Sequence, residues 1–523
     1  MSEAEKSKLA EWAALQARTL DEQRPAATQK RHAAGFRTAR ENLAALVDPG
    51  SFVEYGQLAV AAQRQRYDYD SLLTNTAADG VITGLGSVNG DLFGPEQSRA
   101  VVIVNDYSVL AGTQGFFHHH KLDRILHLAG KLKLPVIMFT EGGGGRPGDV
   151  DVATSIAGLN TPSFYLWAKL GGLVPRIAVN NGYCFAGNAA LFGCADITIA
   201  TRSSWIGMAG PAMIEGGSLG KFAPTEIGPV EMHAKTGGVD LVAQDEAAAA
   251  ALAKKLLSYF QGPLAGWSCP DQQKLRDLIP ANRRRAYDLR KVIVTLADED
   301  SFVELRSAWG RGLVTGFLRL AGRPLGLMAN NCWHLGGAVD ADAADKASRF
   351  LQLCDAHGLP ILSLIDTPGF MVGPASEEQA AVRRMSGLFA SFASVSVPIV
   401  AILLRKGYGL GAMAMAGGSF LAPDFIAAWP TGEIGAMGLE GAVTLGFRKE
   451  LAALEDEAEK QALFDRLVGV MYQKGKATEA AAFLELDAVI DPADTRAAIL
   501  QTLDSAGQTP RRAAGRRKFI DTW

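Results

Sequence analysis

No two of the five cysteines, Cys184, Cys194, Cys269, Cys332 and Cys354, stand in a C-x-x-C pair. The ligand spacing of a zinc ribbon and the dithiol of a redox motif are therefore both missing. An excess of one charge is missing too: the net charge is −3 over 523 residues, without the basic footprint that nucleic-acid binding needs. Residues 1 to 40 are rich in Lys, Arg, Glu and Asp and have no apolar core, the reverse of a secretory signal. Long uncharged stretches such as 407 to 423 are broken by Gly and Pro, so no membrane span is expected. A reduced, cytoplasmic chain fits these absences. The basic stretch 511 to 519 reads as a solvated tail rather than as an anion contact.

What is present is apolar and periodic. Hydrophobic residues make up 48% and charged residues 20%, and the length is too great for one ordinary core, so two or more domains are expected. Short apolar runs, AVVIVND at 100, PVIMFTE at 135 and RIAVNNG at 176, alternate with longer amphipathic ones. They read as buried parallel strands joined by helices, an α/β arrangement. The order returns in GLMANN at 326, PILSLID at 360 and PIVAILL at 398.

That return is an internal repeat. LPVIMFTEGGGG at Leu134 matches LPILSLIDTPGF at Leu359, and GYCFAGNAA at Gly182 matches GYGLGAMAM at Gly407, both pairs at the same offset. Upstream, SFVEYG at Ser51 pairs with SFVELR at Ser301, and VITGLGSVNG with LVTGFLRLAG. The expectation is two homologous α/β domains, residues 1–280 and 281–523, divided near the polar stretch Arg283 to Arg285.

Each half carries two glycine-rich turns at strand ends: Gly142 to Arg146 and Cys184 to Asn188, then Thr367 to Phe370 and Gly407 to Ala412. At a turn that opens a helix, backbone N–H groups lack an intrahelical acceptor and can face developing negative charge. One such cluster means little, but four at matching places in two halves point to a pair of sites. No Ser–His or Cys–His pairing stands out. GGSLG at 216 fits G-x-S-x-G without the apolar strand that a nucleophile elbow requires. Adjacent residues on a helix, such as His118, His119 and His120, point about 100° apart and do not converge on one metal ion. What remains is stabilisation of two oxyanions by backbone amides, one per half.

Over nearly its whole length the chain resembles the carboxyltransferase β subunits of propionyl-CoA and methylcrotonyl-CoA carboxylases. The likeness is carried by TARENLAALVDPGSFVE from Thr38, DGVITGLGSVNG from Asp79, VDADAADKASRF from Val339, DTPGFMVG from Asp366, RKGYGLGAMAM from Arg405, AWPTGEIGAMGLEGAV from Ala428 and DAVIDPADTR from Asp487. Where the family generally shows SGGAR this chain has Gly142 to Arg146, and where it shows CAGGA this chain has Cys184 to Asn188. ANN at 329 and FMVG at 370 look like the methylcrotonyl branch, VDADAADKASRF like the propionyl branch, so the resemblance assigns no acyl group.

The resemblance implies two tandem crotonase-like domains, the first half of one subunit holding acyl-CoA and the second half of a partner subunit holding carboxybiotin. It implies amides around Gly143, Gly144, Ala186 and Gly187 for the thioester enolate and around Phe370, Leu410 and Gly411 for the ureido oxygen. Arg146, Ala412 and Met413 are then expected to bind substrate, and the biotin anion, rather than a protein side chain, to take the acidic proton. No metal is expected. The chain has neither a biotin-bearing lysine hairpin, AMAM at Ala412 lacking the lysine, nor a glycine-rich ATP-binding module. A separate biotin carboxylase and biotin carrier are therefore expected, with a hexamer of this chain. A decarboxylase subunit running the same transfer backwards stays open; a crotonase-like hydratase would need a carboxylate pair, for which Glu141 and Asp196 are poor candidates, and the intact glycine turns in both halves argue against a noncatalytic scaffold.

Overall fold

The computed structural model describes residues 3–152, 159–507 and 519–521, so most of the basic stretch 511 to 519 lies outside the described residues. Two compact units meet at Gly262 and Pro263. In the first, a seven-stranded sheet runs in chain order: β1 Val53–Tyr55, β2 Val81–Ser87, β3 Arg99–Asn105, β4 Val136–Phe139, β5 Arg176–Phe185, β6 Ile197–Gly207 and β7 Leu241–Ala243. The first three strands pair antiparallel, and β3 to β7 pair parallel. Parallel strands need crossovers, and the helix Phe116–Leu132 supplies the one from β3 to β4. Val136, Ile137, Met138 and Phe139 are all buried. That is why this strand reads as a continuous apolar run rather than an alternating one.

The second unit repeats the plan with β8 Val303–Leu305, β9 Leu313–Leu320, β10 Arg323–Asn330, β11 Ile361–Thr367, β12 Ile399–Tyr408, β13 Phe425–Ala428, β14 Glu433–Gly435 and β15 Ala488–Val489. The sheet order is β15-β13-β12-β11-β10-β9-β8, and β14 also pairs with β12. Its crossover helix Ala341–Ala356 is capped by the Asp340 carboxylate, which accepts from Ala343 N–H at 2.8 Å; such a cap contributes about 1 kcal/mol. Leu362, Leu364, Val400, Ile402 and Trp429 form its core.

The duplication extends to buried charge. Lys121 Nζ donates to the carbonyls of Ala78 and Val81. Lys346, its counterpart in the second unit, donates to those of Arg306, Trp309 and Leu313 at 3.0, 3.1 and 2.8 Å. Each ammonium is thereby hydrogen-bonded inside the fold, where an unpaired buried charge would be costly. Burial pushes Lys121 down to about 8.

The α/β expectation holds, but the division at 280/281 does not. Leu264 N–H donates to Gly322 O at 3.0 Å, Leu275 is buried in the second core, and Arg276 pairs with Asp491 at 2.6 Å. Residues 263 to 280 thus belong to the second unit. The polar stretch at 283 to 285 is no linker either: Arg283 binds Glu433 at 2.8 Å and Glu440 at 2.7 Å. A run of arginines looks solvated in sequence because its acidic partners lie far along the chain. Among the described residues no helix is long and apolar enough to cross a membrane.

Candidate active site

At the carboxyl ends of β4 and β5, where open parallel sheets bind ligands, two turns are locked together. Gly142 N–H donates to Tyr183 O at 2.7 Å and Gly142 O accepts from Phe185 N–H at 2.9 Å. Ala186 follows with φ 51° and opens the helix Gly187–Gly193. The Asn188 side chain ties the turns: its Oδ1 accepts from Gly144 N–H at 3.0 Å. A Cβ on Gly142 would sit 2.3 Å from both Asn188 Nδ2 and Gly112 O, and one on Gly144 (φ 90°) 2.7 Å from Ala186 Cβ. Only glycine permits this approach.

Where the amides go decides what the turns can do. The N–H groups of Gly143, Gly144 and Ala186 are spent internally, on Ala111 O, Asn188 Oδ1 and Gly207 O. Those of Gly145 and Gly187 have no acceptor among the described residues. Gly145 borders open space, with no atom within 4 Å of where its Cβ would be. The N–H groups left over at these turns are therefore those of Gly145 and Gly187, whereas the sequence expectation named Gly143, Gly144 and Ala186 beside Gly187. Gly145 was missed because four consecutive glycines give no sign of which amide faces outward.

The second unit builds the same junction. Val339 N–H donates to Gly369 O at 3.0 Å and Met371 N–H to Val339 O at 2.9 Å, as Gln114 does with Gly144 and Arg146 in the first. A Cβ on Gly411 would lie 2.4 Å from the Gly369 carbonyl carbon and 2.7 Å from Phe370 N. The N–H groups of Phe370 and Leu410 have no acceptor among the described residues.

Strand register shows where the repeat shifts. Val136 of β4 pairs with Arg176 of β5, and Ile361 of β11 with Ile399 of β12. The step along the chain from Arg176 to Ile399 is thus shorter, by two positions, than the step from Val136 to Ile361. Ala186 (φ 51°) corresponds to Gly409 (φ 59°), Gly187 to Leu410 and Asn188 to Gly411. Matching Gly182 with Gly407 by their shared Gly-Tyr is out of register by the same two positions, because the segment joining β4 to β5 is longer in the first unit. Gly409, the left-handed residue, was not singled out for this reason.

The side chains expected to bind substrate lie in different settings. The Arg146 side chain is buried, its guanidinium on Asp79 and on Thr113 O at 2.7 Å, where it pins the first turn. Ala412 is buried, while Met413 is 38% exposed, as neighbours on a helix must diverge. Met413 lines a cavity of about 560 Å³ beside Gly409, together with Phe420, Leu421, Phe483 and Leu484.

Behind each pair of turns stands a buried ion pair. Arg31 binds Glu141 at 2.8 Å, and burial pushes that carboxyl up to about 8 against the pull of Arg31. Asp366, the counterpart of Glu141 in the second unit, is held by Arg405 at 3.0 Å. Asp196 is likewise paired, with Arg176 at 2.6 Å. Glu141 and Asp196 are thus committed to arginines, and the carboxylate pair that a hydratase would need is not assembled. The three histidines diverge: His118 is fully buried, His119 Nδ1 contacts Ser163 Oγ at 3.0 Å, and His120 packs on Phe116.

Known proteins share this plan. The carboxyl transferase domain family matches residues 30–520. The methylmalonyl-CoA carboxyltransferase 12S subunit of Propionibacterium freudenreichii subsp. shermanii is 33% identical over 91% of this chain and 90% of its own. A transcarboxylase 12S crystal structure, a hexamer with methylmalonyl-CoA bound, superposes with a TM-score of 0.83 at 30% identity, covering 100% of this chain and 99% of that one. A single-chain, multi-domain long-chain acyl-CoA carboxylase superposes with a TM-score of 0.90 at 56% identity over 95% of this chain. This chain spans about half that enzyme's length, 48%.

Proposed function

This chain belongs to the carboxyl transferase family, and on that premise we propose that it passes a carboxyl group from biotin, carried on a partner protein, to an acyl-CoA with a long acyl chain. The observation that carries the proposal is the doubled hole: Gly145 and Gly187 in one unit, Phe370 and Leu410 in the other, each with two N–H groups left without an acceptor among the described residues. Two preset donors stabilise an oxyanion because they need no reorganisation as charge develops. At the first hole they would hold the thioester oxygen while the neighbouring carbon loses its proton and becomes the nucleophile. At the second they fit the ureido oxygen of biotin, in a junction that Gly411 keeps tight. Biotin bound there would supply the carboxyl group and accept the proton, so no protein base is required. Glu141 and Asp366, each paired with an arginine, support the turns.

The long acyl chain is proposed on two grounds: the 56% identity with the long-chain enzyme, and the apolar wall of Met413, Leu421 and Phe483 in a cavity that Lys474, Glu479 and Glu485 also line. The proposed partners are a biotin carboxylase and a biotin carrier, and the proposed assembly is a hexamer like that of transcarboxylase 12S. The direct test is to mix the purified chain with carboxybiotin and acyl-CoAs of graded length. Carboxylated long-chain acyl-CoA is the expected product, and no transfer to any acyl-CoA would refute the reading.

Two further outcomes are expected. Met413→Asp should change the ratio of kcat/KM between long and short acyl-CoAs by about tenfold or more, since one methylene misfit is worth about 1 to 3 kcal/mol. An equal loss at every length would reduce Met413 to a packing role. Light scattering coupled to the transfer assay should place all activity in an oligomer, and an active monomer would contradict the proposed assembly.

A further inference from the structure

Gln114 stands opposite Gly145 at the first hole. Its backbone is strand-like opposite Gly145, donating to Gly144 O at 2.7 Å and accepting from Arg146 N–H at 2.9 Å. The residue is 4% exposed, and its Nε2 is buried with no acceptor among the described residues. Its Oε1 lies 2.3 Å from where a Cβ on Gly187 would be. The carboxamide thus fills the space that a side chain on Gly187 would need, against one of the two residues whose N–H is free.

A buried amide is normally hydrogen-bonded, and here the hole beside it presents donors, the N–H groups of Gly145 and Gly187. What the three groups lack in common is an acceptor. The fold itself does not require an amide at this position. In the second unit Val339 makes the same two backbone hydrogen bonds with Gly369 and Met371, and its side chain carries no polar atom. The difference between the halves therefore lies in what each hole receives rather than in how the turn is built.

We propose that the Gln114 carboxamide, by turning its Nε2 toward Gly187 when acyl-CoA binds, is a third hydrogen-bonding group of the first hole, donating to the thioester carbonyl oxygen of the acyl-CoA and to the enolate oxygen that it becomes. This rests on the carboxyl transferase reading of the same hole. The bond strengthens as negative charge grows on that oxygen, so its loss falls on turnover as well as on binding.

The test compares Gln114→Leu, which removes the amide at similar bulk, and Gln114→Val, the side chain that the second unit carries, with the wild type. Transfer from carboxybiotin, thermal melting, and calorimetric binding of an acyl-CoA thioester against a CoA thioether lacking the carbonyl oxygen are measured for each. The expected result is a loss in kcat/KM of about tenfold to a hundredfold, with the thioester's binding advantage over the thioether abolished and melting unchanged. Wild-type efficiency in both variants would overturn the proposal, as would thioester and thioether binding falling together. A wild type that transfers nothing would overturn the carboxyl transferase reading, and the thioester-to-thioether comparison would still decide on Gln114.

Discussion

Gly145→Val is expected to lower carboxyl transfer by about 100-fold or more while leaving the melting temperature close to that of the wild type. A Cβ at Gly145 meets nothing within 4 Å, and its φ lies outside the left-handed region, so the fold can accept the larger residue without strain. The added branch instead enters the open space beside Gly145, where the thioester oxygen is proposed to sit. Gly187→Val is a less clean test. There a Cβ would collide with Gln114 Oε1 at 2.3 Å and approach the Phe164 ring at 3.1 Å, so lost activity would mix blocking with displacement. Full turnover in Gly145→Val, measured with saturating carboxybiotin and acyl-CoA, would remove Gly145 from the site.

Gly411→Ala should abolish transfer to a similar extent by a different physical route. Its Cβ would lie 2.4 Å from the Gly369 carbonyl carbon and 2.7 Å from Phe370 N. Both are backbone atoms, so no rotamer change relieves the contact and the two turns have to part. Overpacking of this kind costs about 1–3 kcal/mol, within what a large domain survives, but it separates the N–H groups of Phe370 and Leu410. Calorimetry should then show binding of a short acyl-CoA, which does not reach the cavity beside Gly409, unchanged at the first hole while transfer falls about 100-fold or more. Parallel loss of acyl-CoA binding, or transfer at the wild-type rate, would contradict the assignment of the second hole.

The two variants differ because glycine is needed for different reasons at the two positions. At Gly411 the absent side chain lets one backbone touch another. At Gly145 it leaves room for something outside the chain. The glycine runs GGGG and GYGLG look alike in sequence, and neither distinguishes packing from access.

Much of the molecule was legible without coordinates. Continuous apolar runs such as PVIMFTE marked strands buried on both faces, since a strand with one wet face would alternate. The internal repeat established two copies of one α/β plan, and the motifs from Thr38 to Arg496 carried the family resemblance. The repeat also pointed to the glycine turns, because both copies carry glycine-rich segments at strand ends.

Other features depended on groups distant in the chain. The division at Gly262 rather than 280 follows from Leu264 bonding to Gly322 and from Arg276 pairing with Asp491, contacts between segments far apart in sequence. Which amides are free followed from where the others are spent: Ala186 N–H on Gly207 O, Gly144 N–H on Asn188 Oδ1. The slip between β5 and β12 appears only in strand register, since Gly-Tyr occurs in both halves at positions that are not equivalent. Sequence by itself determined the elements, their duplication and the chemistry of the turns, because periodicity and residue type act locally. Tertiary structure decided the domain boundary, the outward-facing N–H groups and the fates of Arg146 and Met413, because a donor or a side chain is committed only by the partner that folding brings to it.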